Sequence, residues 1–510
     1  MMQNSALNIL RNWITADNPH IAMSGIIFVI IVAGLLVGAL FGSLGPIIAL
    51  GLLGTLTIGV LMLQSTQVGL FALISLICLL PYGALPFTLG FRPTFIDLAL
   101  TSLFLVWALR LITGKQRTFI VSPLGGLLFA FQGWALFTFI FGLRYGGLNM
   151  TVARNFLEVL LAMSLFFLAI NQIRHLAHLE QVSRMILLAG GGSALLGIFF
   201  YVIPGDWTIR ILSLLRVFQY PTEGILRFIE DDPEQPMRAI STSVDPNALG
   251  GLMVFLTIIV VVHLFAPQPI MRRRYLLLIT GLMVLTLYLT FSRGSLLGVV
   301  VGLGVIAILR YRKLIWLMVA LAALIVILPQ TQVYVTRFVE GIQGQDLATQ
   351  MRFGEYKDAF NLISRYPLTG VGFFGSPDID IYVGVSSVYL LLAQQIGLIG
   401  AGLYLLIGLV YLGLIFTTVR RVPPGHRLET PLLAYGLAIL GAMVGGVFDH
   451  FYFNLTFIHI VTLYWLVMGL GMGAILLWRQ EEALVQVGSV TESEPVKFTK
   501  KSLPSKSRVN

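Results

Sequence analysis

The sequence has little charge and almost no cysteine. Only 11% of its 510 residues are Asp, Glu, Lys or Arg, roughly half the share expected of a water-soluble protein of this length. Its single cysteine, Cys78, rules out an internal disulfide framework and a site built on several thiolates. The shortage of charge therefore excludes an ordinary soluble domain, whereas the cysteine count does not indicate a compartment.

Motifs for nucleotide or metal chemistry are also missing. The chain has no phosphate-binding loop and no Gly-x-Ser-x-Gly motif. His175 and His178 are three residues apart, with no third ligand in view, which is typical of solvated histidines. We expect neither a metal nor a cofactor. The net charge of +10 is explained by basic loops that orient a membrane protein, so we expect no nucleic-acid partner.

Long apolar runs dominate what is present. Hydrophobic residues make up 57% of the chain, and runs of about 17–25 apolar residues, long enough to span a bilayer, recur along most of it. The sequence predicts an all-α, polytopic integral membrane protein with about twelve to fourteen transmembrane helices. We expect a short cytoplasmic arm at residues 1–22, a helical domain over 23–478 and a disordered cytoplasmic tail at 479–510.

The basic residues predict the orientation of the helices. If the N-terminus is cytoplasmic, the even-numbered connections after the third helix are all basic, as the positive-inside rule requires. Two long connections, residues 204–246 and 330–386, then lie outside. The predicted location is the bacterial cytoplasmic (inner) membrane, in contact with its lipids.

Arginine outnumbers lysine on the predicted outer side. Lys357 is the single lysine there, beside ten arginines: Arg144, Arg154, Arg210, Arg216, Arg227, Arg238, Arg293, Arg337, Arg352 and Arg365. Arginine presents a planar fork that grips phosphate at two points. The set favours a diphosphate ligand, although pairing with outer acids or lipid phosphates would explain any single arginine.

Residues 352–400 contain the most distinctive stretch. The spacing of Leu347, Met351, Tyr356, Phe360 and Ile363 predicts an amphipathic helix with the charged residues, Glu355 among them, on its other side. Pro367 ends that helix. Three glycines at positions 370, 372 and 375 then predict a bend, and an apolar run begins at Ser386. We interpret this stretch as a polar shelf at the membrane surface.

Four polar groups on the outer side are candidates for chemistry: Thr290–Gly294, Arg238–Asn247, Arg352 and Asp449–His450. Each also has a structural explanation. The arginine of the first group could extend to lipid headgroups, and the Asp-Pro-Asn of the second could cap a helix. Arg352 could be solvated, and adjacent residues such as Asp449 and His450 point about 100° apart if they lie on a helix.

Several of these segments together resemble the bacterial O-antigen ligase/polymerase superfamily. The segments are Ser292-Arg293-Gly294, then Arg352 with Pro367-Leu-Thr-Gly370-Val-Gly372, then Tyr389-Leu390 and Gly397-Leu-Ile-Gly400, with Arg238–Asn247 similar to the family's pattern before a span. The resemblance covers about residues 150–475. It implies a multispanning glycosyltransferase that takes a glycan from an undecaprenyl-diphosphate carrier and transfers it to a glycan or lipid-linked acceptor, without nucleotide or metal.

The resemblance also implies roles for individual residues. Arg293 and Arg352 would bind the donor's diphosphate, where fixed cations stabilise the charge that develops as the glycosidic bond breaks. Glu355 and His450 complete the predicted catalytic set. The predicted substrate-binding residues are Arg238, Asn247, Ser292, Ser386 and Tyr389.

One departure from the family pattern concerns the general base. Ligases of this family carry a His, proposed to activate the acceptor hydroxyl, where this chain has Ser386 followed by Ser387. A serine hydroxyl is a poor base at neutral pH. Another residue could replace it, with Glu355, Asp378, Asp380 or His450 as candidates, or departure of the leaving group could dominate. Loss of ligase chemistry is the third possibility.

Two other classes of function stay open. Members of this superfamily have also been described as bicarbonate transporters, and a non-catalytic scaffold of cell-envelope assembly is a further alternative. Transport favours ionisable residues near the bilayer midplane. Asp97 and Glu158 lie near the ends of predicted spans, and most charge lies on the two outer connections, which favours surface chemistry.

Overall fold

The computed structural model describes residues 19–45 and 65–493 except 89, 117, 222 and 379–382, with scattered residues between 46 and 64. The bounded helices are α1 Pro19–Leu44, α2 Thr66–Leu79, α3 Phe95–Ile112, α4 Gly125–Gly142, α5 Met150–Gln172, α6 Leu176–Val202, α7 Gly205–Leu214, α8 Pro246–Phe265, α9 Arg273–Leu289, α10 Arg293–Leu309, α11 Arg312–Ile327, α12 Gln332–Gln343, α13 Leu347–Arg365, α14 Val388–Arg421, α15 Glu429–Phe448 and α16 Ile458–Ser493. A two-stranded antiparallel hairpin, β1 Arg227–Phe228 and β2 Met237–Arg238, pairs Arg227 with Arg238.

The prediction of an all-α polytopic membrane protein is confirmed. Eight helices in the described residues are long and apolar enough to cross a membrane: α3, α4, α5, α6, α8, α14, α15 and α16. The number is below twelve because α2, α9, α10 and α11 have only 14, 17, 17 and 16 residues. The predicted span at 46–65 lies mostly outside the described residues.

The centre of the bundle is formed by α8, α15 and the first part of α16, up to residue 478, whose side chains are almost all buried. Glycines allow the helices around them to approach closely. A Cβ atom on Gly298 of α10 would lie 2.5 Å from the carbonyl oxygen of Gly441 on α15. Small residues at these positions therefore let the two helix backbones approach closely.

The two long connections that the sequence predicts to lie outside contain structure of their own. Residues 204–246 hold α7 and the β-hairpin, and residues 330–386 hold α12 and α13. The chain bends by 96° between α11 and the helices that follow it. At the other end of the chain, α16 continues to Ser493, so residues 479–493 of the predicted disordered tail are helical. Residues 1–18 and 494–510 lie outside the described residues.

The helix ends fall into two groups. At one end of the bundle, Arg427 contacts Glu180, Arg184 contacts Ile270, and Arg310 contacts Glu429. We call this end the basic face, and the sequence predicts it to be cytoplasmic. At the other end, Arg238, Arg293, Arg352 and His450 lie near the connections 204–246 and 330–386. We call that end the site face.

Candidate functional site on the site face

Helix α13 packs on the bundle through only part of the predicted apolar stripe, in which Tyr356 and Ile363 are half-buried. Ala359 and Leu362 are fully buried, whereas Met351 and Phe360 are 60% and 61% exposed. Residues 352, 355, 359 and 362 follow one another in steps of three or four, so Arg352 and Glu355 lie on the same side of the helix as the buried Ala359 and Leu362. Glu355, which was expected on the polar side, therefore lies on the side that faces the protein, whereas Lys357 and Arg365 are exposed as expected.

Glu355 holds the segment that precedes α14. Its Oε2 accepts a hydrogen bond of 2.9 Å from the backbone N–H of Ser386. The hydroxyl of Tyr356 donates to the carbonyl oxygen of Ser386 at 3.4 Å. Burial raises the pKa of Tyr356, and the nearby carboxylates of Glu355 and Asp449 add to the effect, while Arg352 opposes it. Arg352, Glu355 and Ser386 therefore lie in one neighbourhood.

Asp449 and His450 lie beside the same segment. The backbone N–H of Val388, two residues after Ser386, donates to the carbonyl oxygen of Asp449 at 3.0 Å. Asp449 and His450 follow the end of α15, where the backbone of Asp449 is extended and not helical. Its Oδ1 is thus able to lie 3.4 Å from Nδ1 of His450. The imidazole also packs on the rings of Phe451 and Phe457.

Arg238 is half-buried and lies close enough to Asp449 to feel its charge. Its Nε donates to the carbonyl oxygen of Thr290 at 2.8 Å, and its Nη2 donates to Oδ1 of Asn247. Burial lowers the pKa of Arg238 to about 10, against the opposing effect of Asp245 and Asp449. Asp245 caps α8 by accepting from the N–H of Ala248 at 2.7 Å, as its position predicts. Arg238 and Asn247 are therefore fixed in place by the β-hairpin and the start of α8.

Arg293 is engaged in an ion pair. Its Nη2 lies 2.6 Å from Oδ2 of Asp346, whose side chain is fully buried, and its Nη1 donates to the carbonyl oxygen of Arg337 at 2.8 Å. Gly341 makes this approach possible, since a Cβ atom there would lie 1.9 Å from Nη1. Burial acts to raise the pKa of Asp346, but hydrogen bonds from Arg293 and Thr349 hold it below its ordinary value. Arg293 thus fastens α12 and the start of α13 to α10.

Two arginines on this face have side chains without such partners. Within the part of the chain that the structure describes, Arg352 makes no hydrogen bond or ion pair, and the Nε of Arg337 is buried with no hydrogen-bond partner. Burial and the positive charge of Arg293 lower the pKa of Arg337, while Glu230 and Asp346 oppose the shift. The sequence does not single out Arg337, which is one of ten outer arginines and belongs to no motif.

Three predicted residues have contacts away from this group. Ser292 is buried, and its hydroxyl donates to Ser295 at 2.9 Å. The hydroxyl of Tyr389 donates to the carbonyl oxygen of Met443 on α15 at 2.8 Å. Asp378 pairs with Arg365 at 3.0 Å, and Asp380 lies outside the described residues. Among the described residues, no hydrogen bond or ion pair joins the side chains of Ser292, Tyr389 and Asp378 to Arg352, Glu355 or His450.

The glycine motifs lie at a break in α14. At Gly397 the backbone leaves helical geometry (φ 72°, ψ 176°), which frees carbonyl groups inside a membrane-spanning helix. Val371 and Gly372 donate to the carbonyl oxygens of Gln394 and Gln395 at 2.9 and 2.8 Å.

Two further hydrogen bonds satisfy backbone groups at the break in α14. The N–H of Leu398 donates to Pro367 at 2.8 Å, and the indole N–H of Trp134 donates to the carbonyl oxygen of Ile396 at 2.8 Å. The motifs from Pro367 to Gly372 and from Gly397 to Gly400 therefore have a structural role: they satisfy backbone groups that lipid cannot. Because they join the end of α13 to α14, they also fix the distance between Glu355 and Ser386.

Comparison with known families agrees with this architecture. Residues 276–405 match the family described as O-antigen ligase. Over that segment, which is less than half of the chain, the match supports a relationship to the O-antigen ligase/polymerase superfamily. No curated protein matches the sequence. The matched segment contains Arg293, Arg352, Glu355 and Ser386, whereas Arg238, Asn247 and His450 lie outside it.

The superfamily supports the coarser part of the functional prediction. It indicates a glycosyltransferase-like enzyme with lipid-linked glycan and polysaccharide substrates. The apolar helices agree with a multi-pass membrane protein. The roles of individual side chains remain predictions.

Proposed function

We propose that this superfamily member is a glycosyltransferase of the bacterial cytoplasmic membrane. It takes a glycan from an undecaprenyl-diphosphate carrier at the site face, on the outer side, and transfers it to a hydroxyl of a glycan or lipid-linked acceptor. The main support is the arrangement around Ser386: an arginine with no partner in the described residues, a carboxylate and an Asp–His pair lie on adjoining elements. No metal takes part in the proposed step.

Arg352 is the residue proposed to hold the diphosphate. Its guanidinium is half-buried, on the face of α13 that faces the protein, and it has N–H groups to donate. A planar guanidinium binds two phosphate oxygens at once. Arg337 would add a second cation on the same face, since the N–H of its Nε is buried without a partner.

Arg293 is proposed to act differently from Arg352. Its guanidinium already binds Asp346 and the carbonyl oxygen of Arg337. The ion pair holds the N-terminal end of α13, the helix that carries Arg352. We therefore propose that Arg293 positions α13, although the resemblance assigns it to the diphosphate.

His450 is the proposed general base. The family's histidine position holds Ser386, but His450 lies next to that position because Val388 and Asp449 are hydrogen-bonded. Oδ1 of Asp449 accepts from the backbone N–H of His450 at 3.0 Å and lies 3.4 Å from Nδ1, so the carboxylate would stabilise the imidazolium that forms when His450 takes a proton. An imidazole is suited to accept a proton near neutral pH. Glu355 is the second candidate, and its bond to Ser386 gives it a structural task as well.

The proposed step conserves atoms and charge. The acceptor hydroxyl oxygen attacks the anomeric carbon of the donor sugar while His450 takes the hydroxyl proton. The bond between the anomeric carbon and the diphosphate oxygen breaks, and its electron pair leaves on the diphosphate. Arg352 stabilises the negative charge that accumulates there.

A cell-free reaction tests the proposal. The purified full chain is incubated with undecaprenyl-diphosphate-linked repeat units, first alone and then with a lipid-linked acceptor, and the products are separated by chain length. A ladder from the repeat units alone identifies a polymerase, and a product only with the acceptor identifies a ligase. Failure of the donor either to react or to bind would contradict the proposal and favour the transporter alternative.

Two substitutions test the proposed base. His450→Ala should lower turnover about 10²–10⁴-fold, the usual contribution of a general base, with little change in donor binding. Ser386→His restores the family's histidine next to Glu355, and in the His450→Ala background it should recover part of the lost rate. If His450→Ala is fully active, the assignment is wrong and Glu355→Gln is the next variant to measure.

A further inference from the structure

A polar cavity lies at the basic face, at the opposite end of the bundle from the candidate site. It has a volume of about 170 Å³ and is enclosed by α6, the end of α8, the connection after α8 and the start of α15. Its polar lining includes Glu180, Arg184, His263, Gln268, Arg427 and Thr430. A single water occupies about 30 Å³ of liquid, so the cavity has room for a group larger than one water molecule.

His263 is the feature that indicates a ligand. It lies in the last turn of α8 with 1% of its surface exposed. Neither ring nitrogen has a hydrogen-bond partner among the described residues. Leaving a buried polar group unpaired costs free energy, so most such groups in native proteins have a partner. Since His263 lines the cavity, a polar group inside the cavity would provide that partner.

Two arginines give the cavity a positive charge. Arg184 and Arg427 both contact the carboxylate of Glu180, at 3.4 and 2.7 Å. The contacts tie α6 to the connection before α15, which is a structural role. They use only Nη2 of each arginine, and the Nη1 groups have no partner within the described residues. Two arginines face one glutamate, so the lining keeps a positive charge and spare N–H donors.

Donor N–H groups, positive charge and a buried imidazole are together suited to a phosphate group. We propose that this cavity binds a phosphate group, separately from the substrate site. The apolar part of the lining, which includes Leu179, Pro269, Ile270 and Pro431, suits a lipid headgroup. Basic pockets between membrane helices are known to hold anionic headgroups. An anionic lipid of the leaflet at the basic face and free phosphate share this chemistry, and the experiment distinguishes them.

The test uses the full chain, purified and depleted of lipid. Bound lipid is counted by native mass spectrometry during titration with phosphatidylglycerol, and with phosphatidylcholine as the neutral comparison. In a separate arm, the thermal unfolding midpoint is followed as inorganic phosphate is added. Retention of phosphatidylglycerol without an effect of phosphate identifies a lipid site. A rise in the midpoint with phosphate alone identifies a free anion as the ligand.

Substitutions connect binding to the cavity. Arg184→Gln/Arg427→Gln should weaken phosphatidylglycerol or phosphate binding at least about tenfold, since each arginine loses a charge-assisted hydrogen bond. Arg274→Gln is the matched control for Arg427→Gln: each removes one positive charge from the basic face, and the guanidinium of Arg274 contacts Tyr275. Arg427→Gln alone, at a 58% exposed side chain, is the variant to use if the double variant does not fold. Equal binding by the cavity variants and Arg274→Gln, or no preference for the anionic ligands, would overturn the proposal.

Discussion

Arg293 and Arg352 lie on the same face of the bundle, but Arg293 has a carboxylate partner and Arg352 has none among the described residues. Arg293 starts α10 and contacts a fully buried carboxylate at 2.6 Å. Arg352 lies on α13, half-buried, and has no ion pair or hydrogen bond in the described part of the chain. A paired arginine fixes structure, whereas an unpaired one has donors left for a ligand. The difference assigns positioning to the first and diphosphate binding to the second.

Arg352→Ala should have the largest effect on activity. Removing a fixed donor from a developing negative charge typically lowers the rate about 10²–10³-fold, while the folded protein loses no ion pair. The measurement is transfer from the undecaprenyl-diphosphate donor, together with the thermal unfolding midpoint. Lys357→Ala is the control, because it removes an equal charge from an exposed position on the same helix. A fully active Arg352→Ala protein would remove the basis for the comparison.

Arg293→Ala should lower stability as well as activity. It leaves the fully buried carboxylate of Asp346 without its cation, and breaking a buried pair in this way costs about 3–5 kcal/mol. Thermal unfolding measures the loss. Arg293→Ala/Asp346→Asn removes both charges and should recover most of the stability.

Transfer by the double variant then distinguishes the two roles of Arg293. If Arg293 only positions α13, activity returns together with stability. If the double variant is stable but inactive, Arg293 contacts the donor, as the resemblance implies, and the contrast with Arg352 is wrong.

The sequence predicts the class of the fold well because hydrophobic length is a local property. The runs around α5, α8 and α16 are long enough to identify without knowledge of their neighbours. The sequence predicts the buried face of α13 only in part: Tyr356 and Ile363 pack on the protein, whereas Met351 and Phe360 are apolar yet exposed. In a membrane protein an apolar side chain has no need to face the core, so periodicity alone does not identify the packed side.

The candidate site depends on contacts that the sequence does not contain. The motifs locate Arg352 and Ser386 but not the hydrogen bond of 2.9 Å that joins Glu355 to Ser386. The pairing of Arg293 with Asp346 joins residues 53 positions apart, and no local pattern marks it. Arg337 was also missed, since its significance comes from a buried Nε without a partner.

Gly397→Ala should destabilise the break in α14 on which the spacing of the site depends. The residue has φ 72° and ψ 176°, a region essentially limited to glycine, and other residues there cost about 1–3 kcal/mol. A Cβ atom would also lie 2.0 Å from the carbonyl oxygen of Leu368. Thermal unfolding measures the effect. Gly402→Ala, on the same helix with no atom within 4 Å of its Cβ, should be close to neutral, and equal effects would contradict this explanation.

The smallest expected effect is the pH dependence of the Arg293–Asp346 pair. The pKa of Asp346 lies below its ordinary value because hydrogen bonds from Arg293 and Thr349 outweigh burial. A lowered pKa means that the unfolded chain takes up the proton first as pH falls. The pair therefore stabilises the fold fully above the ordinary carboxyl pKa of about 3.9, and the stabilisation disappears as pH falls through the lower folded pKa.

Thermal unfolding of the wild type and Asp346→Asn should differ at neutral pH and converge in acid. Arg352→Ala has no carboxylate partner to lose, so its difference from the wild type should stay constant over the same range. A pH-independent difference for Asp346→Asn would mean that the pair contributes through packing and not through charge.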